Sequence, residues 1–201
     1  MAAIVRVKTV LFSVLEDKLQ IYLPAHRLPQ GIVEHGISLN KLAMENIKGI
    51  AGAAINQGYL EQLYTFSHPF EAGMGVDIVY YLLVGEGKLV RDYQESWIEA
   101  TRISRNLPEY GILSYALQRL RWKVEYTNVV YSLLPREFTL SELQRIYEAI
   151  LGKKLDKRNF RKKILSLGLL RSSGRRRVGL KARPARMYMF LRRQPVMVNV
   201  F

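Results

Sequence analysis

The stretch Asp156–Leu170, DKRNFRKKILSLGLL, holds the residues of this chain best suited to recognition chemistry. Lys157, Arg158, Asn159, Arg161 and Lys162 crowd five donors together with no acid among them. Asp156 before them is a good helix N-cap, because its carboxylate can accept from a free backbone N–H of the first turn. Phe160, Ile164 and Leu167 recur at i, i+4 and i+7, which is one face of a helix. A helix that buries such a stripe and offers Arg and Asn near its N-terminus has the chemistry of a recognition helix. Arg can bond twice to guanine O6/N7, Asn can do the same to adenine, and Lys can hold phosphate. A solvated cationic surface helix has the same composition, so the choice rests on what surrounds it.

Upstream, Thr139 and Glu142 stand at the spacing of a capping box, in which each side chain satisfies a backbone N–H at the other's position. Leu140, Leu143, Ile146, Tyr147 and Ile150 make the following helix amphipathic, and Gly152 closes it. Two helices joined so briefly read as a helix-turn-helix. Downstream, RSSGRRRVGLKARPARMYMF reads as two strands around a Gly-rich basic loop. That is the wing of a winged helix, with Arg175, Arg176, Arg177, Lys181 and Arg183 set beside or in the minor groove. Thr139, Ser141 and Arg186 complete the residues expected at DNA, with Arg158 and Asn159 reading bases and Lys157, Arg161, Lys162 and the wing arginines mainly holding phosphates. The terminal PVMVNVF is apolar, suited to an added strand or to a partner.

Charge distribution supports this reading. The net charge is +14, yet residues 1–150 hold 15 basic and 16 acidic residues, while residues 151–201 hold 16 basic residues and one acid, Asp156. All the excess lies in the last quarter, as in a neutral module joined to one that meets a polyanion. An amphipathic helix with an aromatic insertion face, which a membrane surface would require, is missing there.

The remaining composition mostly excludes. With no cysteine, disulfides and cysteine-based metal sites are impossible. MAAIVRVKTVLFSVLEDKLQ meets charge too early for a signal peptide, and charged residues interrupt every apolar run before it reaches membrane-spanning length. The expectation is a soluble, cytoplasmic protein.

Residues 4–13 and 19–23 are β-rich runs joined by Glu16-Asp17-Lys18, a hairpin. LPQGIVEHGISL is a loop, and Ser38 caps a helix that carries Leu42, Ala43, Ile47 and Ile50 toward Gly52. Tyr59–Phe66 and Met74–Val84 read as strands. A helix opens at Tyr110 or Gly111 and runs to about Tyr126, and residues 123–135 read as packed helix between two modules. The mixture is α+β. His26 and His68 lack ligand spacing and are assigned no role. Glu34 and His35 read as a solvated loop, and Tyr59, Tyr64 and Phe66 as core packing.

The run FTLSELQRIYEAILGKKLDKRNFRKKILSLGLL, with LQRLRWKVEYT before it and RPARMYMF after it, closely resembles the C-terminal winged-helix domain of the Nudix-related transcriptional regulators. The resemblance covers about residues 111–190. It implies an N-terminal Nudix-like α/β/α domain over residues 1–125 and a winged helix-turn-helix domain over 126–201. It also implies a homodimer on a double-stranded operator and a repressor of NAD metabolism released by ADP-ribose or a related sugar metabolite. The Nudix signature is Gly, five residues, Glu, seven residues, then Arg-Glu-apolar-x-Glu-Glu-x-Gly-apolar. LPQGIVEHGISLNKLAMENIKGIAGA fits that frame from Gly31 to Gly52, but Ile37 stands for the first Glu. Glu45-Asn46 replaces Arg-Glu, and Gly49-Ile50 replaces the metal-binding pair. Mg²⁺ needs carboxylate oxygens, so no metal, cofactor or catalytic residue is expected. Glu34, Glu61 and Glu71 are the nearby acids that a rescued hydrolase would have to use. A divergent Nudix hydrolase and a non-specific nucleic-acid-binding protein are the alternatives to the regulator.

Overall fold

The computed structural model describes residues 3–52, 56, 58–70, 73–90, 96–177 and 184–200. Its first half is organised on one long central strand, β1 (Ala3–Leu15). β1 returns as β2 (Lys18–Tyr22) through Glu16 and Asp17, both at positive φ (50° and 60°). A two-residue hairpin needs that hand to match strand twist. On its other side β1 runs parallel to β5 (Gly73–Leu83), while on the β2 side the short β3 (Gln30–Ile32) pairs antiparallel with its N-terminal half. β4 (Tyr59–Phe70) and β6 (Trp97–Glu99) complete the order β4-β5-β1-β2-β6.

Side-chain alternation along β1 divides its residues between two helical layers. Val7 and Leu11 face α1 (Leu39–Glu45) and α2 (Lys48–Ala51), packing on Leu42, Ala43, Ile47 and Ile50. Val10, Phe12 and Val14 face α3 (Tyr110–Tyr126), whose buried side is Ile112, Leu113, Ala116, Leu120 and Val124. The result is the expected α/β/α arrangement. Ser38 caps α1 as expected, accepting from the Lys41 N–H. The helix then breaks at Asn46 and Ile47 instead of running to Gly52, because Asn46 turns its amide onto the Val7 carbonyl (2.9 Å) and the Thr9 hydroxyl (3.3 Å) of β1.

After α3 the chain makes one buried 3₁₀ turn, Val129–Ser132, where a continuing helix was expected. It then enters β7 (Phe138–Thr139), α4 (Leu140–Leu151), α5 (Lys157–Ser166), β8 (Leu170–Arg177) and β9 (Ala185–Phe190). The three strands form a second sheet in the order β7-β9-β8. Tyr147 packs on Phe160 and Phe138 on Phe190, with ring centroids 5.5 and 5.1 Å apart. The core is continuous from Val10 to Ile164, so the two halves share one apolar interior. The terminal segment, whose apolar character had no assigned partner, lies along the end of α3, where Val198 N–H donates to Tyr126 and Val200 N–H to Glu125. Among the described residues no helix is long and apolar enough to cross a membrane.

Candidate nucleic-acid interface and polar cleft

α4 and α5 are set at a fixed angle by the turn between them. Gly152 closes α4 in the left-handed region (φ 67°), a conformation glycine adopts at no steric cost. Glu148 accepts from the Leu155 N–H (3.0 Å), and Gln144 donates to the Leu155 carbonyl (2.9 Å). Asp156 caps α5 by accepting from the Asn159 N–H at 2.7 Å. Phe160 and Ile164 are buried as expected. Lys157, Arg158, Asn159 and Lys162 stand exposed on the opposite side, and none has an ion-pair partner among the described residues.

Arg161 behaves differently from its neighbours. It is half-buried and donates to the Ser141 hydroxyl (3.1 Å) in the first turn of α4, while its Nε is buried with no partner among the described residues. Beside Ser141, Glu142 forms an ion pair with Arg177 of β8. The basic helix and the wing therefore converge at the N-terminus of α4, where the helix dipole also favours an anion. Burial pushes the Glu142 carboxyl up. The Thr139 N–H, Arg177 and the Thr139 hydroxyl outweigh it, leaving Glu142 below the usual carboxylate range. Thr139 departs from the expected role. It is buried, and its amide and hydroxyl are both engaged with Glu142, so it holds the helix start rather than facing DNA.

In the wing, β8 and β9 pair antiparallel, with a register shift between Ser172 and Arg176 and Gly174 at φ 78°. Arg175 pairs with Glu137 at 3.2 Å. Arg176 lies directly across from Arg186, both exposed. Like charges facing across a ladder repel, and an anion between them would turn that cost into a gain. Lys181 and Arg183 lie outside the described residues.

The second polar concentration is on the α3 side of the first sheet, and sequence reading passed over it. Arg6, Lys8, Asp77 and Glu109 meet His68 in a cleft of about 450 Å³ also lined by Arg27, Gln30, Phe66 and Ser67. Arg6 Nε donates to Asp77 (2.9 Å), and Lys8 Nζ lies 3.1 Å from Asp77 and 2.9 Å from Glu109. Glu109 also accepts from the Leu28 N–H at 2.9 Å. Burial raises the Asp77 carboxyl, but hydrogen bonds and charge from Lys8 and then Arg6 outweigh it, so Asp77 sits below its ordinary value. His68 Nε2 is 3.1 Å from Arg6 and 3.2 Å from Asp77. Gly75 makes this approach possible, since a Cβ there would lie 2.3 Å from the His68 ring. The available signal was Lys8 and Asp77 themselves. A charge at an inward position of a central strand must find a partner.

The signature positions do not fit a metal. Ile50 is buried among Leu11, Tyr22, Leu82 and Val84, Ile37 packs against the Val7–Leu42 cluster, and Asn46 is spent on β1. Glu45 is exposed, with Lys41 as its neighbour at 3.9 Å. Glu61 is on the other face of the sheet, bound to Lys123 (2.8 Å), Tyr81 (2.5 Å) and Tyr59, and Glu71 lies outside the described residues. Among the described residues no group of three or more His, Asp or Glu is placed to hold a metal ion. Tyr59 is core as expected. Tyr64 is 57% exposed, because a bulge between Gln62 and Tyr64 turns it onto Tyr115 at the sheet edge.

Comparison with known proteins agrees with this geometry. The model of the NrtR DNA-binding winged helix domain matches residues 130–190. The ADPR responsive transcriptional repressor NtrR of Acinetobacter baylyi is 30% identical over 198 residues, covering 90% of this chain and 79% of the relative. Shewanella oneidensis NrtR, solved in complex with a 27mer DNA, superposes with a TM-score of 0.75 at 23% identity, over 92% of this chain and 93% of that one. A MutT/nudix family protein from Enterococcus faecalis superposes with a TM-score of 0.71 at 20% identity, over 94% and 88%. With its Nudix-like sheet, its basic winged helix and a relative of this identity over nearly the whole chain, the protein belongs to the NrtR family of DNA-binding transcriptional regulators.

Proposed function

We propose that this protein is a cytoplasmic homodimeric repressor that leaves its operator when ADP-ribose, or a closely related nucleotide sugar, occupies the polar cleft. Residues 1–125 form the sensing and dimerisation module and residues 126–201 the DNA-binding module. The observation that carries the DNA half is the convergence of α5 and the wing on the N-terminus of α4, with Arg176 facing Arg186. In this reading Arg158 and Asn159 meet base edges. Lys157, Lys162, Arg176 and Arg186 hold phosphates directly, with Arg175 and Arg177 joining them on leaving their carboxylate partners and Arg161 beside Ser141 at the α4 terminus. Two copies related by a two-fold axis would address half-sites about one helical turn or a multiple apart.

The effector half rests on the cleft's chemistry and on the name of the A. baylyi relative. Arg6, Arg27 and Lys8 supply cationic donors suited to a diphosphate. Phe66 supplies an aromatic face suited to a base. No hydrolytic role is assigned, because Ile37, Asn46, Gly49 and Ile50 occupy the places where carboxylates would hold Mg²⁺.

The test begins with an operator selected from a random duplex pool. Specific readout keeps a large ratio between operator and scrambled DNA as rising salt screens the phosphate contacts. ADP-ribose should release the operator, and the same preparation with Mg²⁺ or Mn²⁺ should form no AMP. A ratio near one at high salt would leave only non-specific binding, and AMP production would restore the hydrolase reading.

A further inference from the structure

We propose that α3 is the rod that carries cleft occupancy to the winged helix, with Glu109 as the contact that gives way. The proposal rests on the effector reading above for its trigger, but the rod itself is argued from both ends of the helix.

At the cleft end, Glu109 is the N-cap residue of α3, and its carboxylate is buried. It is held by Lys8 and the Leu28 N–H, each at 2.9 Å, and Lys8 is its one cationic partner among the described residues. Asp77, by contrast, has Lys8, Arg6 and His68 around it. An anionic group entering beside Arg6 and Arg27 meets an ammonium already shared by two carboxylates. The carboxylate with least support is the one carried by the helix. Taking Lys8 from Glu109 therefore loosens the start of α3 and leaves the sheet intact.

Along its length the helix has little freedom to absorb that change. Leu113, Ala116, Leu120 and Val124 are fully buried, and Lys123 is tied to Glu61 at 2.8 Å. Close-packed interiors transmit displacement rather than damping it.

At the far end, Arg121 Nε donates to the Ile150 carbonyl at 3.2 Å, in the last turn of α4. Asn128 fastens the terminal segment, donating to the Gln194 carbonyl (3.2 Å) and accepting from the Val196 N–H (2.7 Å). Arg193 of that segment holds the carbonyls of Tyr131, Leu134 and Pro135 at the entrance to the winged helix. α3, the terminal segment and α4 thus move as one body. The direct ion pair from the β1–β2 turn to α4, Asp17 to Arg145 at 3.3 Å, is exposed at both residues and easily broken.

Glu109 and Arg121 lie about 18 Å apart along the helix, a separation at which independent sites have additive effects. The test is a double-mutant cycle on operator affinity in the full-length protein, with thermal melts confirming the fold of each variant. Glu109→Gln should weaken operator binding about fivefold when Arg121 is present and less than twofold beside Arg121→Met. Additive effects would overturn the rod. The second arm uses ADP-ribose as the probe. Arg121→Met should bind it as the parent does while losing at least two-thirds of its effect on operator affinity, and an unchanged effect would also overturn the proposal. A non-additive cycle in a parent protein that ignores ADP-ribose would keep the rod and discard that effector. Should Glu109→Gln fail to fold, Lys8→Gln removes the same ion pair from the strand side and carries the cycle.

Discussion

Glu142→Gln separates the two tasks of one carboxylate. One oxygen accepts from the Thr139 N–H (2.7 Å) and hydroxyl (3.0 Å), and the other pairs with Arg177 of the wing. Glutamine is also accepted at this position of a capping box, so the helix start survives while the charge disappears. Arg177 is about half exposed, so the lost pair should cost at most about 1 kcal/mol of stability. That corresponds to a fall of roughly 2–4 °C in Tm for a chain of this size. DNA binding should move the other way. If Arg177 faces a phosphate, removing its carboxylate adds one effective cation to the interface, and log Kd against log salt steepens by about 0.9. Between 50 and 200 mM salt that is an extra factor of about 3.5 in affinity lost, on top of tighter binding at low salt. Fluorescence anisotropy on a labelled duplex across this range reads the slope directly. A slope that is unchanged, or weaker binding at low salt with an intact melt, would show that Arg177 does not reach the DNA and that its pair with Glu142 serves only the fold.

Arg158→Ala should cost about 1–3 kcal/mol on the selected operator and relax preference at one base pair, while Arg176→Ala should weaken all duplexes alike and flatten the salt slope by about one. Identical behaviour of the two on operator and random DNA would refute that division. Burial raises the Glu61 carboxyl, and the Lys123, Tyr59 and Tyr81 hydrogen bonds more than offset it, holding it below the usual range. Its contribution to stability is therefore present above the ordinary carboxylate value of about 4.3 and lost as pH falls through the depressed folded value. Glu61→Gln should accordingly lower the melting temperature at pH 7 and flatten its acid limb, seen in melts from pH 7 to 3. Lys8→Met should abolish any ADP-ribose-induced thermal shift, because it empties the cleft of the ammonium that Asp77 and Glu109 share.

The winged helix was legible because its signals are local. The Thr139–Glu142 box, the Gly152 stop and the Asp156 cap each act within four residues, and each appears in the structure where spacing placed it. The basic wing announced itself by its charge and by the Gly-rich loop between two strand-like runs. The polar cleft was harder to read for the opposite reason. Lys8, Asp77 and Glu109 are separated by 69 and 32 positions, and only the parallel pairing of β1 with β5 and the return of α3 bring them together. Arg161 shows a finer limit. Helical spacing put it among the exposed donors, whereas packing of α5 on α4 turned it inward to Ser141. Thr139 shows the same confusion in reverse, since a residue able to hold a phosphate was already occupied in starting its own helix.

The packing of Ile50 bears on how this fold can change over evolutionary time. Its side chain is 2% exposed and wedged among Leu11, Tyr22, Leu82 and Val84. An acid arriving there by a single substitution would be buried among mainly apolar side chains, where an unpaired charge is costly. Gaining a metal at the signature positions would demand several replacements together, at Ile37, Asn46, Gly49 and Ile50, with the acid at Ile50 buried unpaired and Asn46 released from its bonds to β1. Such a packed core acts as a ratchet. Once Ile50 is packed into this apolar cluster, a carboxylate at that position becomes costly to install.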